Sequence, residues 1–376
     1  MGGQVFTSGP DPLYTPRMPP GVYQHVKATC HEKLKQIFEQ VATPIEGPGK
    51  PDVGDIDFLV HGSITDLQST QWRDAVSAVL GAERCFLSAG TCGFIRDPLA
   101  PSPETFRWSV FKQDHGDLWN LLGSTIRPYG LTIDHEALYV RIAEIEKFDK
   151  KKAKIHLTSD PEIVLQFLGL DLQQWKQPFA SMEDSYKYAA TSRFFWVKPE
   201  SDDKSDGSDE ERIEGEFTRK NLNLFPKCRE QHRFTDRQTD REATLEEVFE
   251  RFGVRETYDA RVLEFRQKRQ AETIWKDVIK ATVPSEGIEP MFRGCAANGL
   301  KRIIMQGDES YGVVPSEPLK DETGLFDEDA VRRFSEAHWK KVGDIGLQRN
   351  HEKTLVHKAK LAKETEQAHK NQTPVS

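Results

Sequence analysis

Between Glu200 and Glu216 the chain sets nine acids (Glu200, Asp202, Asp203, Asp206, Asp209, Glu210, Glu211, Glu214 and Glu216) against two bases, Lys204 and Arg212. Such a stretch repels itself and has too few apolar side chains to offset the entropy of ordering it. It reads as a disordered insertion or loop, so the packed parts of the chain must form before it and after it. Nine acids less two bases give −7 against −8 for all 376 residues, which leaves the remainder close to neutral. A nucleic-acid footprint would be a strong basic excess, and no domain-sized segment has one. From Val331 to Lys370 there are ten Lys or Arg and five Asp or Glu. That face suits solvent, nucleic acid or the acidic stretch.

Apolar residues concentrate from about Val53 to Phe195, so one good core is expected there and a looser half after it. The cysteines (Cys30, Cys85, Cys92, Cys228, Cys295) are scattered, odd in number and without CxxC spacing, which fits neither a disulfide framework nor a zinc site. No apolar run approaches the roughly 20 residues that span a bilayer, and no charged-then-apolar leader opens the chain. The start, MGGQVFTS, has Phe6 where a myristoylation signal wants Ser or Thr. A reduced cytoplasmic or nuclear protein without a membrane partner is expected, its protein partners unknown.

Residues 1–20 hold five prolines and three glycines and read as a flexible arm. Val22, Val26, Leu34, Ile37, Phe38 and Val41 follow a helical period, Asp55–Val60 reads as a strand, Gln68–Leu80 as a helix and Arg84–Ile95 as extended. A helix is expected over Asp117–Ile126 and strands over Ala137–Ile142 and Lys154–Leu157. Ser159-Asp160-Pro161-Glu162 announces a helix capped by the Ser, which stops at Gly169, and another covers Glu183–Phe195. After the acidic stretch come amphipathic helices at Leu245–Phe252, Arg261–Ile279 and Ala296–Met305. A long one follows from Glu328 to about Lys370, broken near Gly343–Gly346. The expected order is an arm (1–20), an α/β domain with a small mixed sheet flanked by helices (21–197), the acidic segment (198–218), a helical region (219–310) and an extended basic helix or tail (311–376).

The chemistry concentrates in VGDIDFLV, Val53–Val60. On a strand, Asp55 and Asp57 project from one face, and carboxylates that close repel each other. Magnesium resolves the conflict, because it binds through one or two carboxylates plus phosphate oxygens. Phosphoryl or nucleotidyl transfer then follows, usually with a third carboxylate from a neighbouring strand. The plain alternative is a strand end whose acids face solvent.

GDIDFLV resembles the metal-binding strand of the polymerase-β-like nucleotidyltransferase superfamily, whose pattern is acid, apolar, acid, apolar. HGDLWNLLG (His115–Gly123), RPYGLTI (Arg127–Ile133), ALYVRI and LTSDPEIVLQFLGLD are similar to an uncharacterised, mainly fungal group within that fold. The likeness spans about Val22 to Phe195. It implies that Asp55 and Asp57 ligate magnesium or manganese, that the substrate is a nucleoside triphosphate, and that a nucleotidyl group passes to a hydroxyl.

Two parts of the family pattern are displaced. The Gly-Ser turn that holds the phosphates should lie upstream of the acids, where the chain reads TPIEGPGKPDVG. Gly54 and Lys50 are the candidates there for contact with the nucleotide, Lys50 as a point charge on phosphate or as a solvated loop lysine. His61-Gly62-Ser63 has the right letters after the acids. The third carboxylate is also missing from its strand: Asp97 precedes Pro98 and Glu104 follows Pro103, neither suited to a central strand. Asp117 is the candidate substitute, and Asp134 is better suited to a turn. Asp114 or Asp117 can instead cap the helix that carries Trp119, and His115 between them is either a base with an orienting acid or part of that helix start. Trp119, Trp175, Phe194, Phe195 and Trp196 read as core, and Cys85 and Cys92 as buried small hydrophobes. The expected activity is metal-dependent nucleotidyl transfer. The alternative is a catalytically inactive binding or scaffold protein of the same fold.

Overall fold

The structure, a computed structural model, describes residues 11–64, 72–84, 102–196 and 239–370. The acidic segment, residues 1–10 of the arm, Arg84–Ile95 beyond Arg84, and Asp97, Cys85, Cys92 and Cys228 lie outside them. The chain divides into two compact units, Met1–Arg255 and Glu256–Ser376. It is mixed α/β with a helical C-terminal region.

In the first unit, α1 (Pro20–Leu34) begins with Pro20 in its first turn, where a missing N–H costs nothing. The helical period expected to Val41 breaks off after Leu34, and Phe38–Ala42 forms β1 instead. Phe38 is aromatic and Val41 β-branched, both favourable in strands, and β1 finds a ladder partner in β2 (Leu59–Ser63), antiparallel with Phe38 opposite Ser63 and Ala42 opposite Leu59. Leu34, Ile37, Phe38 and Val60 form a small core with Val76, Val79 and Leu80 of α2 (Trp72–Leu80). The strand expected from Asp55 starts four residues late. Asp55–Phe58 lie outside the ladder, between the Met18–Val53 bridge and β2.

The aromatic core follows. α3 (Pro103–Gln113) starts at Ser102, whose side chain accepts from the Thr105 amide. α4 (Leu118–Ile126) brings Trp119 against Phe111, ring centroids 5.0 Å apart. β3 (Leu131–Ile133), β4 (Leu138–Arg141) and β5 (Lys154–Thr158), with the short α5 (Ala143–Glu146) between β4 and β5, make an antiparallel sheet in the order β3-β4-β5. The single mixed sheet expected is therefore two antiparallel ones among the described residues.

α6 (Pro161–Leu168) is capped by Asp160 and not by Ser159: the Asp160 carboxylate accepts from the Glu162 and Ile163 amides, while Ser159 donates to the Glu136 carbonyl. It ends, as its sequence demands, on Gly169 at φ 73°. α7 (Leu172–Trp175) and α8 (Met182–Ala190) complete the cluster. Trp119, Trp175, Phe194 and Phe195 are all buried.

The acidic segment does not separate the units. α9 (Arg241–Phe252) lies beyond it and still belongs to the first unit. Arg193 pairs with Glu247 at 2.8 Å, Arg241 with Glu146 at 3.1 Å, and the Phe252 ring meets Phe167 at 5.3 Å. In the chain the segment falls between α8 and α9, which belong to one unit.

The second unit contains α10 (Arg255–Thr273), which continues through a π-helical turn at Ile274–Ile279, then α11 (Pro290–Gln306) and α12 (Glu328–Lys370). Its core is its own and is closed, with Ile274, Val278, Leu300, Val331 and Val342 all buried. The boundary expected at residue 310 is absent, because α11 and α12 share that core. The break expected in the long helix is absent too, since α12 runs unbroken through Gly343 and Gly346. Those glycines serve close helix approach. A Cβ on Gly343 would stand 2.4 Å from the Phe292 ring, and one on Gly346 would stand 3.1 Å from the Cys295 Cβ. Opposite them on α11, a Cβ on Gly299 would lie 2.4 Å from Val342 Cγ1. Gly299→Ala is therefore expected to destabilise this unit by about 1–2 kcal/mol, overpacking outweighing the gain in helix propensity. An unchanged or raised denaturation midpoint would refute that reading.

Candidate functional site

Asp55 is exposed and Asp57 half-buried. Among the described residues neither takes part in a hydrogen bond or ion pair. The Asp57 carboxyl is held above its ordinary range first by burial, then by the negative charges of Asp55 and Glu46, with Lys50 opposing. Three acids thus act on one another at the entry to β2. Glu46, which the sequence reading missed, is the further acid whose charge reaches Asp57. It lies in the loop after β1, far from where a strand-borne acid was sought, and no local pattern marks it.

Glu46 is restrained. Tyr23 of α1 donates to its Oε1 at 2.9 Å, and Lys50 donates to its Oε2 at 2.8 Å. Burial together with Glu46, Asp57 and Asp55 raises the Tyr23 phenol, so it stays a donor. Lys50, expected either to meet phosphate or to be a solvated loop lysine, is half-exposed and paired with Glu46, while its charge also reaches Asp57. Gly54 has no left-handed backbone. The turn glycine of this loop is Gly49, at φ 80°, a conformation costly to other residues.

Asp117 does not join the acids. It is exposed at the start of α4 and accepts from Asn120 Nδ2 at 3.1 Å. Asp134 holds a turn: it accepts from the Glu136 and Ala137 amides and binds Lys154 Nζ at 2.8 Å. His61-Gly62-Ser63 lies within β2. Glu104 lies in the first turn of α3.

The Asp114-His115-Gly116 turn carries the loop of Glu46 instead of starting chemistry of its own. Asp114, 8% exposed, accepts from the Ile45 amide at 2.8 Å. The His115 amide returns to the Ile45 carbonyl at 2.7 Å. The His115 ring is buried, and its Nε2 lies 2.7 Å from the Trp175 carbonyl. A carbonyl only accepts, so the proton sits on Nε2, and burial favours the neutral ring. His115 at φ 62° and Gly116 at φ 61° let the backbone turn against Gly47. His115 is therefore a latch. Asp114 is pushed up to about 6 by burial, against the Ile45 amide and the Trp175 indole. That indole N–H lies beside it but outside hydrogen-bonding geometry.

Among the described residues no three His, Cys, Asp or Glu side chains are arranged to hold one ion. Two unpaired carboxylates, one of them raised by the charge of the other, suit a cation that draws its remaining ligands from water and phosphate. They do not suit a cage made by the protein alone. No helix among the described residues is long and apolar enough to cross a membrane. No family model matches the chain, and no curated protein or solved structure is similar to it.

Proposed function

We propose that this protein binds a nucleoside triphosphate with magnesium or manganese and transfers its nucleotidyl group to a hydroxyl. The observation that carries the reading is the unpaired Asp55–Asp57 couple, with Asp57 half-buried and Glu46 adding to the negative field. Like charges left without partners are costly unless a cation is to sit among them. Asp55 and Asp57 would hold the ion, which when bound neutralises phosphate oxygens in the transition state. Lys50, on the loop that carries Glu46, would exchange Glu46 for a phosphate oxygen as the nucleotide enters. Tyr23 keeps its bond to Glu46 and holds that acid in place.

A ligand that binds only the folded chain raises its unfolding midpoint, by about 2.7 kcal/mol at a hundredfold excess over Kd. ATP, GTP, CTP or UTP with magnesium is expected to raise the midpoint, and the same nucleotide in EDTA is not. Equal midpoints with and without metal for all four would reject the reading. They would favour the scaffold alternative, for which the tethering of Lys50 and Glu46 speaks.

A further inference from the structure

A cavity of about 530 Å³ lies in the first unit between β1, α3, α6 and α7, within the range of small-molecule sites. Ala42, Phe106, Val110, Phe111, Leu165 and Trp175 give it an apolar wall. Asp114 is the buried ionisable group on that wall. One of its oxygens accepts from the Ile45 amide, and the Trp175 indole N–H lies beside the carboxylate outside hydrogen-bonding geometry. No Asp114 oxygen is buried without a partner, so the second one is accessible to a donor from the cavity, and a hydrogen bond to a carboxylate is a strong one.

We propose that this cavity binds a planar heteroaromatic ring bearing an exocyclic amino group, the amine donating to Asp114 and the ring lying against the aromatic wall. Phe106, half-buried, is the ring open to stacking, while Phe111 and Trp175 back the wall with centroids 5.1 Å apart. The apolar wall decides against a cationic amine, whose charge would lose its hydration there. The charged lining is balanced, Arg107 and Lys176 standing against Asp160 and Glu162, with Lys176 paired to Glu162 at 3.4 Å. A neutral aromatic amine with an anionic or hydroxylated remainder would not be repelled.

The placement gives the ring a role that rests on the nucleotide reading above. Ala42 lines the cavity and pairs with Leu59, two residues beyond Asp57. Cavity and acids are thus separated by roughly 10 Å, from the spacing of residues along and across a ladder. Ile45, whose amide fixes Asp114, directly precedes Glu46. One nucleotide can therefore place an amino-bearing base in the cavity and its phosphates at Asp55 and Asp57.

The test uses the full chain, without magnesium, and nucleosides in matched pairs: adenosine with purine riboside, guanosine with inosine, cytidine with uridine. By calorimetry, at least one amino-bearing member is expected to bind about tenfold or more tighter than its partner, as a hydrogen bond to a charged group implies. Asp114→Asn should erase that preference without lowering the unfolding midpoint at neutral pH. Leu172→Trp, which fills the cavity from a half-buried position, should abolish binding. Asp55→Asn with Asp57→Asn should leave nucleoside binding unchanged. Equal affinity within all three pairs, or no binding at millimolar nucleoside, overturns the proposal. The metal reading would survive either result, because it is tested separately by the magnesium-dependent shift with triphosphates.

Discussion

Magnesium-dependent nucleotidyl transfer is expected to fall about a thousandfold or more when Asp55 and Asp57 are both changed to Asn, since a metal's transition-state stabilisation is worth several kcal/mol. The shape of each side chain is kept, so the change acts on charge. The same substitution is expected to raise stability in the absence of metal. Asp57 carries a burial cost and the repulsion of Asp55 and Glu46, and a neutral amide escapes both. Loss of activity with gain of stability is the signature of a site whose repulsion is kept for a ligand. A structural pair would behave in the opposite way. Retained transfer in the double variant, or a lowered midpoint with no metal present, would reject the assignment. Asp117→Asn is the control. That side chain is exposed and bonded within its own helix start, so transfer should not change.

Asp114→Asn is expected to stabilise the first unit by about 2–3 kcal/mol above pH 7 and by nothing below pH 4. The Asp114 carboxyl moves from 3.8 to about 6 on folding, chiefly through burial. The folded state thus holds a proton that the unfolded chain has lost. The contribution of this group is complete below the unfolded value and is lost as pH rises to about 6. An amide in its place keeps an oxygen for the Ile45 N–H and never ionises. Asp114→Ala removes that acceptor and leaves the Ile45 amide bare, a cost of about 1–3 kcal/mol. Urea unfolding at pH 4 and pH 7.5 separates the three chains. A difference between wild type and Asp114→Asn that does not vary with pH would show that burial does not set this titration.

Local signals in the chain were sufficient wherever a few neighbouring residues decide the outcome. The Gly169 stop of α6, the strands over Leu138–Arg141 and Lys154–Thr158, and the presence of helices in the C-terminal region, though not the unbroken run of α12, follow from spacing, caps and breakers. Caps were harder. Ser159 and Asp160 are both good caps, and the choice fell to Asp160 because Ser159 finds the Glu136 carbonyl across the sheet. The acid pair was visible as two letters, and its neighbours in space were not.

What the sequence alone determined is the set of segments able to be helix or strand, the run of acids from Glu200 to Glu216, and the two aspartates placed one residue apart. Folding in three dimensions decided the rest. It made Phe38–Ala42 a strand, because β2 was there to pair with it. It brought Glu46 into the field of Asp55 and Asp57, and set Asp114 on a cavity wall. It returned α9 to the first unit past the acidic stretch, and kept α12 unbroken through Gly343 and Gly346, where α11 packs. Each of these depends on contacts between residues distant in the chain, whose energies no local pattern encodes.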